Sequence, residues 1–122
     1  MLASDFSKIA DSLRLKYPPA FWLAFNDLVE ISQTVGFQRF FPKARFIRSL
    51  SDVQMAHEDG LPGNLTPFLL EEQPKHKDYY CFTEAVSDSG NAVVIFASHA
   101  IVAEWSDFAT FLLWVKQQSA QS

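Results

Sequence analysis

Residues 65–70 (LTPFLL), 78–83 (DYYCFT), 92–97 (AVVIFA) and 101–104 (IVAE), followed by 106–115 (SDFATFLLWV), decide the fold of this chain. The first four are short runs rich in β-branched and aromatic residues, a composition that suits a pleated, half-buried surface. Polar connectors full of turn formers separate them, Glu71-Glu72-Gln73-Pro74-Lys75-His76-Lys77 and Ser87-Asp88-Ser89-Gly90-Asn91. Such short connectors join antiparallel neighbours, because a parallel pair needs a crossover of roughly a dozen residues or more. The fifth run changes period. Ser106 is a good N-cap, Asp107 suits the first turn, and Phe108, Phe111, Leu112 and Val115 fall at helical spacing, so a closing helix is predicted.

Towards the N-terminus, Phe6, Ile9, Ala10 and Leu13 predict a helix over about 4–15, capped by Ser4. Tyr17-Pro18-Pro19 ends it, since a residue before proline is pushed out of the α region, and Pro19 can open a second helix over about 19–34. There Phe21, Phe25, Leu28, Val29 and Ser32 form one stripe, Asp27, Glu30 and Gln33 mark the solvated side, and Gly36 suits a left-handed helix terminator. After Gly36 no helical stripe emerges. Residues 44–50 read as a strand, Ser51-Asp52 starts a short helical turn or bend leading to His57-Glu58-Asp59-Gly60, and Leu61-Pro62-Gly63-Asn64 reads as a turn. The expected architecture is α+β: a twisted antiparallel sheet of several short strands packed with two N-terminal helices and one C-terminal helix.

Composition agrees with a single domain over residues 1–122. The chain is 48% hydrophobic and 20% charged, within globular limits. Accessible-area scaling leaves about two thirds of the unfolded surface to be buried, enough for an unaided core. Aromatic residues reach 15%, with 12 Phe, more than a small core requires, so some rings are expected at a contact surface. The single cysteine, Cys81, sits in an apolar run and reads as a buried free thiol in a reducing compartment. Acidic Asp5 stands where a signal peptide carries positive charge, and no apolar run approaches the roughly 18 residues of a membrane span, so a cytoplasmic protein with no membrane partner is expected.

The chemistry of catalysis is thinly represented. His57, His76, His99 and Cys81 lack the paired spacing of a metal site, so neither a metal nor another cofactor is expected. Ser98 and His99, if extended, point to opposite faces and cannot act as nucleophile and base. The carboxylate pairs Glu58-Asp59, Glu71-Glu72 and Asp27 with Glu30 sit in polar loops or on a solvated helix side, not in the differently perturbed sites that acid and base work needs. Arg39, Lys43, Arg45 and Arg48 interleave with Phe40, Phe41 and Phe46 as in nucleic-acid binders, yet a net charge of −4 opposes broad binding to phosphate. The simpler reading places those rings inward and the charges in water.

The order Leu65-Thr66-Pro67-Phe68, Asp78-Tyr79-Tyr80-Cys81-Phe82, Ala92-Val93-Val94-Ile95-Phe96 and Trp105-Ser106-Asp107-Phe108-Ala109-Thr110-Phe111-Leu112 resembles the SMI1/KNR4 (SUKH) superfamily. Tyr17-Pro18-Pro19-Ala20-Phe21 is similar to the opening of that superfamily's proline-led helix. Pro74-Lys75-His76-Lys77 departs from the glycine-rich sequence often found before the aromatic strand, and residues 37–60 match little of the pattern. The resemblance implies a non-enzymatic intracellular α+β domain. For most bacterial members it implies an immunity protein that binds and neutralises a cognate toxin, often a nuclease; fungal relatives act in cell-wall and stress signalling. A regulatory or scaffolding interaction module is the alternative. An acidic surface attracts a basic toxin at long range. The expected contact carboxylates are therefore Glu58, Asp59, Glu71, Glu72, Asp78 and Glu104, with Tyr79 and Trp105 as aromatic anchors. Phe37, Phe40 and Phe41 are further rings that the expected core does not demand, and their abundance is compatible with a monomer or a homodimer.

Overall fold

A computed structural model describes residues 21, 24–47, 49–72, 74, 77–87 and 90–120. Its elements in chain order are α1 (Phe25–Ser32), α2 (Val35–Phe40), β1 (Ala44–Phe46), α3 (Leu50–Glu58), β2 (Leu65–Glu72), β3 (Lys77–Ser87), β4 (Gly90–Ala97), β5 (Ala100–Trp105) and α4 (Phe108–Ala120). The strands form one antiparallel sheet in the order β1-β2-β3-β4-β5. Every strand lies beside its sequence neighbour; the links between β2, β3, β4 and β5 are short, whereas the link from β1 to β2 carries α3. The expected α+β class, antiparallel sheet and closing helix are all present. The expected helix over 4–15 and the Tyr17-Pro18-Pro19 break lie outside the described residues.

Register assigns the two faces of the sheet. Tyr80 stands opposite Leu69 and Ile95, and Phe82 opposite Val93, whereas Tyr79 stands opposite Leu70 and Phe96, and Cys81 opposite Val94. Alternation sends the first set to one side and the second to the other. A bulge between Pro67 and Leu69 turns Phe68 onto the Phe82 side, where its ring lies 4.6 Å from Phe82 and 5.7 Å from both Phe21 and Phe111. On this side Phe21, Phe68, Phe82, Phe108 and Phe111 are all fully buried, at tilted and edge-on angles that suit the ring quadrupoles. The cluster extends through Tyr80 to Phe41, Trp105 and Trp114. Helices α2 and α4 pack together over it.

The opposite side is covered in part by α3, which packs on β2. Ala56, Leu61, Leu70, Tyr79, Cys81, Val94 and Phe96 are buried there. A sheet shielded on both faces needs apolar residues at successive positions, and this explains why FLL, YYCF and VVIF read as continuous runs.

Several boundaries differ from the sequence reading, each for a local reason. The second helix ends at Ser32, and Gly36 lies inside α2 instead of terminating it. Thr34 makes the difference: its hydroxyl donates to the Ile31 carbonyl at 2.7 Å and accepts from the Phe37 amide at 3.2 Å, so one side chain closes α1 and caps α2. The 44–50 strand is cut to Ala44–Phe46 because the Ser49 hydroxyl accepts from the Asp52 amide at 3.2 Å and starts α3 there. Asp107, not Ser106, caps α4, its Oδ1 accepting from the Thr110 amide at 2.7 Å. Glu71 and Glu72 belong to β2 and Lys77 to β3, so both ends of that connector are strand.

Candidate functional site

Helix α3 ends in hydrogen bonds that need a glycine. Asp59 is the C-cap, the Gly60 amide donates to the His57 carbonyl, and the Leu61 amide donates to the Ala56 carbonyl. This pair of bonds is the Schellman arrangement, which requires positive φ at the residue after the cap; Gly60 supplies +111°. Leu61, at 4% exposure, then folds back beside Ala56 and enters the core. At the facing edge of the sheet, β4 and β5 are joined by the two residues Ser98 and His99, with Ala97 paired to Ala100. Both lie in the left-handed region, at φ 51° and 67°, as a two-residue hairpin of right-handed twist demands. Ser98 and His99 are thus a turn, not the extended stretch considered from the sequence.

Among the described residues, every positive φ belongs to Gly60, Ser98 or His99, and all three converge on one place. A cavity of about 400 Å³ opens there, between the end of α3, the start of β3 and the β4–β5 turn. Leu61, Tyr79 and Phe96 contribute apolar surface, while Asp59, Lys77, Ser98 and His99 supply polar groups. The His99 imidazole presses so closely on Gly60 that a Cβ there would lie 3.3 Å from its Cε1 and Nδ1. A smaller depression beside it shares Asp59, Lys77 and Tyr79 and adds Arg45, Asp52 and Met55.

Asp59 holds the centre. Its Oδ2 accepts from the Tyr79 hydroxyl at 3.4 Å and from Lys77 Nζ at 3.3 Å. Burial, then the charge of Asp59 and the hydrogen bond to it, push the Tyr79 phenol up to about 12. Tyr79 therefore stays a donor across the physiological range. Tyr80 and Cys81 are also raised, in both cases first by burial, so neither supplies an anion. Among the described residues no group of three His, Cys, Asp or Glu side chains is placed to hold a metal ion.

The residues expected from sequence to face a partner do not form one surface. Asp59 and Tyr79 meet at the cavity, and exposed Glu58 precedes Asp59 and accepts from Gln54 Nε2 at 3.3 Å. Glu72 lies on the same side of the sheet, paired with Arg45 at 3.3 Å. Glu71 is only 6% exposed, and Asp78, opposite it in the register, is half-buried; both act on Tyr80, on the reverse face. Trp105 packs against Phe111 and Trp114 on that same reverse face, while Glu104 is exposed on β5. Phe37 and Phe41 are core residues, at 2% and 3% exposure, leaving Phe40 as the exposed ring of that group. Arg39, Lys43 and Arg45 are exposed beside buried Phe41 and Phe46. Arg48 lies outside the described residues.

The cavity also uses residues outside the expected contact set: Lys77, Phe96, Ser98 and His99. The usable signal was the hairpin itself, two polar residues between the runs ending at Ala97 and resuming at Ala100. No protein-family model, curated protein or solved structure matches the chain.

Proposed function

We propose that this protein is a cytoplasmic, non-catalytic immunity protein of the SMI1/KNR4 type, which neutralises a cognate basic protein toxin, such as a nuclease, by stoichiometric binding. The observation that carries this reading is where the resemblance-bearing residues fall. Phe68 on β2, Tyr80 and Phe82 on β3, Val93 and Val94 on β4, and Phe108 and Phe111 on α4 are all buried, so the motifs act as the scaffold of the domain. Carboxylates are left at the surface: Glu58, Asp59, Glu72 and Glu104 are exposed. With a net charge of −4, this scaffold offers a basic partner long-range attraction and a fixed surface on which to dock. The absence among the described residues of any helix long and apolar enough to cross a membrane is compatible with that role.

Co-expression with the product of the neighbouring reading frame tests the proposal. The expected outcome is that the neighbour is toxic alone, harmless with this protein, and retained by it in a one-to-one complex whose association slows with added salt. A neighbour that is neither toxic nor bound overturns the reading. Capture of an endogenous, non-toxic protein in its place assigns the chain to the regulatory module class.

A further inference from the structure

We infer that the cavity between the end of α3 and the β4–β5 turn is a guanidinium site, which receives one arginine side chain of the bound partner. The inference rests on the reading of this chain as a binder of a basic protein and names the contact that the acidic surface serves. Three features select a cation. Asp59 carries a half-exposed carboxylate at the cavity wall, with Tyr79 and Lys77 both bonded to Oδ2 and no described donor on Oδ1. The C-terminal end of the nine-residue α3 arrives at the same point, and a helix C-terminus carries partial negative charge. Glu58, adjacent in sequence and exposed, adds negative charge to the approach without lining the cavity.

The shape of the lining selects arginine among cations. An arginine side chain joins an apolar stem to a planar, five-donor head. Phe96, Leu61 and the Tyr79 ring offer the stem an apolar wall, and the Asp59 carboxylate accepts the head through two parallel N–H···O bonds. Lys77 already shows that this carboxylate takes a cation, but weakly. The pair is 3.3 Å long with side chains 43% and 52% exposed, the kind of surface contact that contributes little and is readily displaced. An incoming guanidinium therefore replaces Lys77 on Asp59, and Lys77 acts as an internal competitor for the site. The turn and cap hold the walls in place, since His99 rests on Gly60 and both backbones are fixed in conformations that few residues adopt.

The test is a nuclear magnetic resonance titration of the full chain with N-acetyl-arginine amide, with the lysine, citrulline and glutamate counterparts as comparisons. The arginine probe is expected to give saturable shifts at the amides of Gly60, Tyr79, Ser98 and His99. The citrulline and glutamate probes are expected to bind at least about tenfold more weakly, because one charge-assisted hydrogen bond is worth that factor. Asp59→Asn should weaken the arginine probe by about the same factor. Lys77→Gln should tighten it, a result that a purely structural role for Lys77 does not produce. Equal shifts with citrulline, no saturation, or weaker binding by Lys77→Gln overturns the guanidinium site. Saturation by the arginine probe without capture of the neighbouring gene product overturns the immunity reading and leaves the site standing.

Discussion

At the scale of single residues, backbone conformation at Gly60, Ser98 and His99 shapes the candidate site. Gly60→Ala forces a side chain into φ +111° and brings its Cβ to 3.3 Å from the His99 ring. A loss of about 1–3 kcal/mol is expected, read as a lowered urea midpoint with unchanged slope. Conversely, the paired change Ser98→Asn and His99→Gly installs the dipeptide this turn prefers and is expected to raise stability by about 1 kcal/mol. The same residues that define the cavity therefore hold conformations the fold has to support. Buried ionisable groups give a second residue-level expectation. Cys81 and Tyr79 hold their protons more tightly folded than unfolded, from ordinary values of 9.0 and 10.0, with Tyr79 rising to about 12. Their contribution is complete below pH 9.0 and declines as pH climbs through the window up to the folded values, so the urea midpoint should fall steadily on the alkaline side. Native Cys81 should likewise resist a thiol reagent until the chain unfolds.

Among the elements, helix termini explain where sequence and structure part. Side-chain caps act over three residues and compete with one another, so a run such as Thr34-Val35-Gly36 supports either an ending or a new start. Thr34 settles it by bonding in both directions. The same competition separates Ser106 from Asp107 at the head of α4. Asp107→Ala removes the 2.7 Å bond to the Thr110 amide and should cost about 1 kcal/mol, measured by thermal or chemical denaturation. The central strands were legible because their apolar runs are bounded by turn formers. The position of α3 across the second face was not, since its polar sequence, LSDVQMAHE, buries Ala56 and gives no apolar stripe to announce a packed helix.

For the whole molecule, the aromatic excess finds its place in a layer between the sheet and α2 with α4. Phe68 meets Phe21, Phe82, Phe108 and Phe111 within 5.8 Å between ring centres. Phe68→Ala should cost about 3–5 kcal/mol, a large share of the roughly 5–15 kcal/mol that holds a domain together, and the expected outcome is a chain largely unfolded at moderate urea. Phe40→Ala, at a ring 39% exposed, should cost much less in the same assay. The contrast separates rings that build the core from those that only border it, which composition cannot do.

The sequence by itself determined the class of this protein: a mixed domain, an antiparallel sheet, a closing helix and an acid surplus. Each follows from local causes, namely side-chain periodicity, turn chemistry and the count of charges. Tertiary structure alone decided which face each ring takes, that Glu71 and Tyr79 are buried while Glu72 and Asp59 are exposed, and that Asp59, Lys77 and His99 surround one cavity. Those facts depend on a bulge at Pro67–Leu69 and on a helix end meeting a hairpin turn some forty residues further along the chain. Contacts between segments so far apart are set by packing, and packing leaves no periodic trace in the sequence.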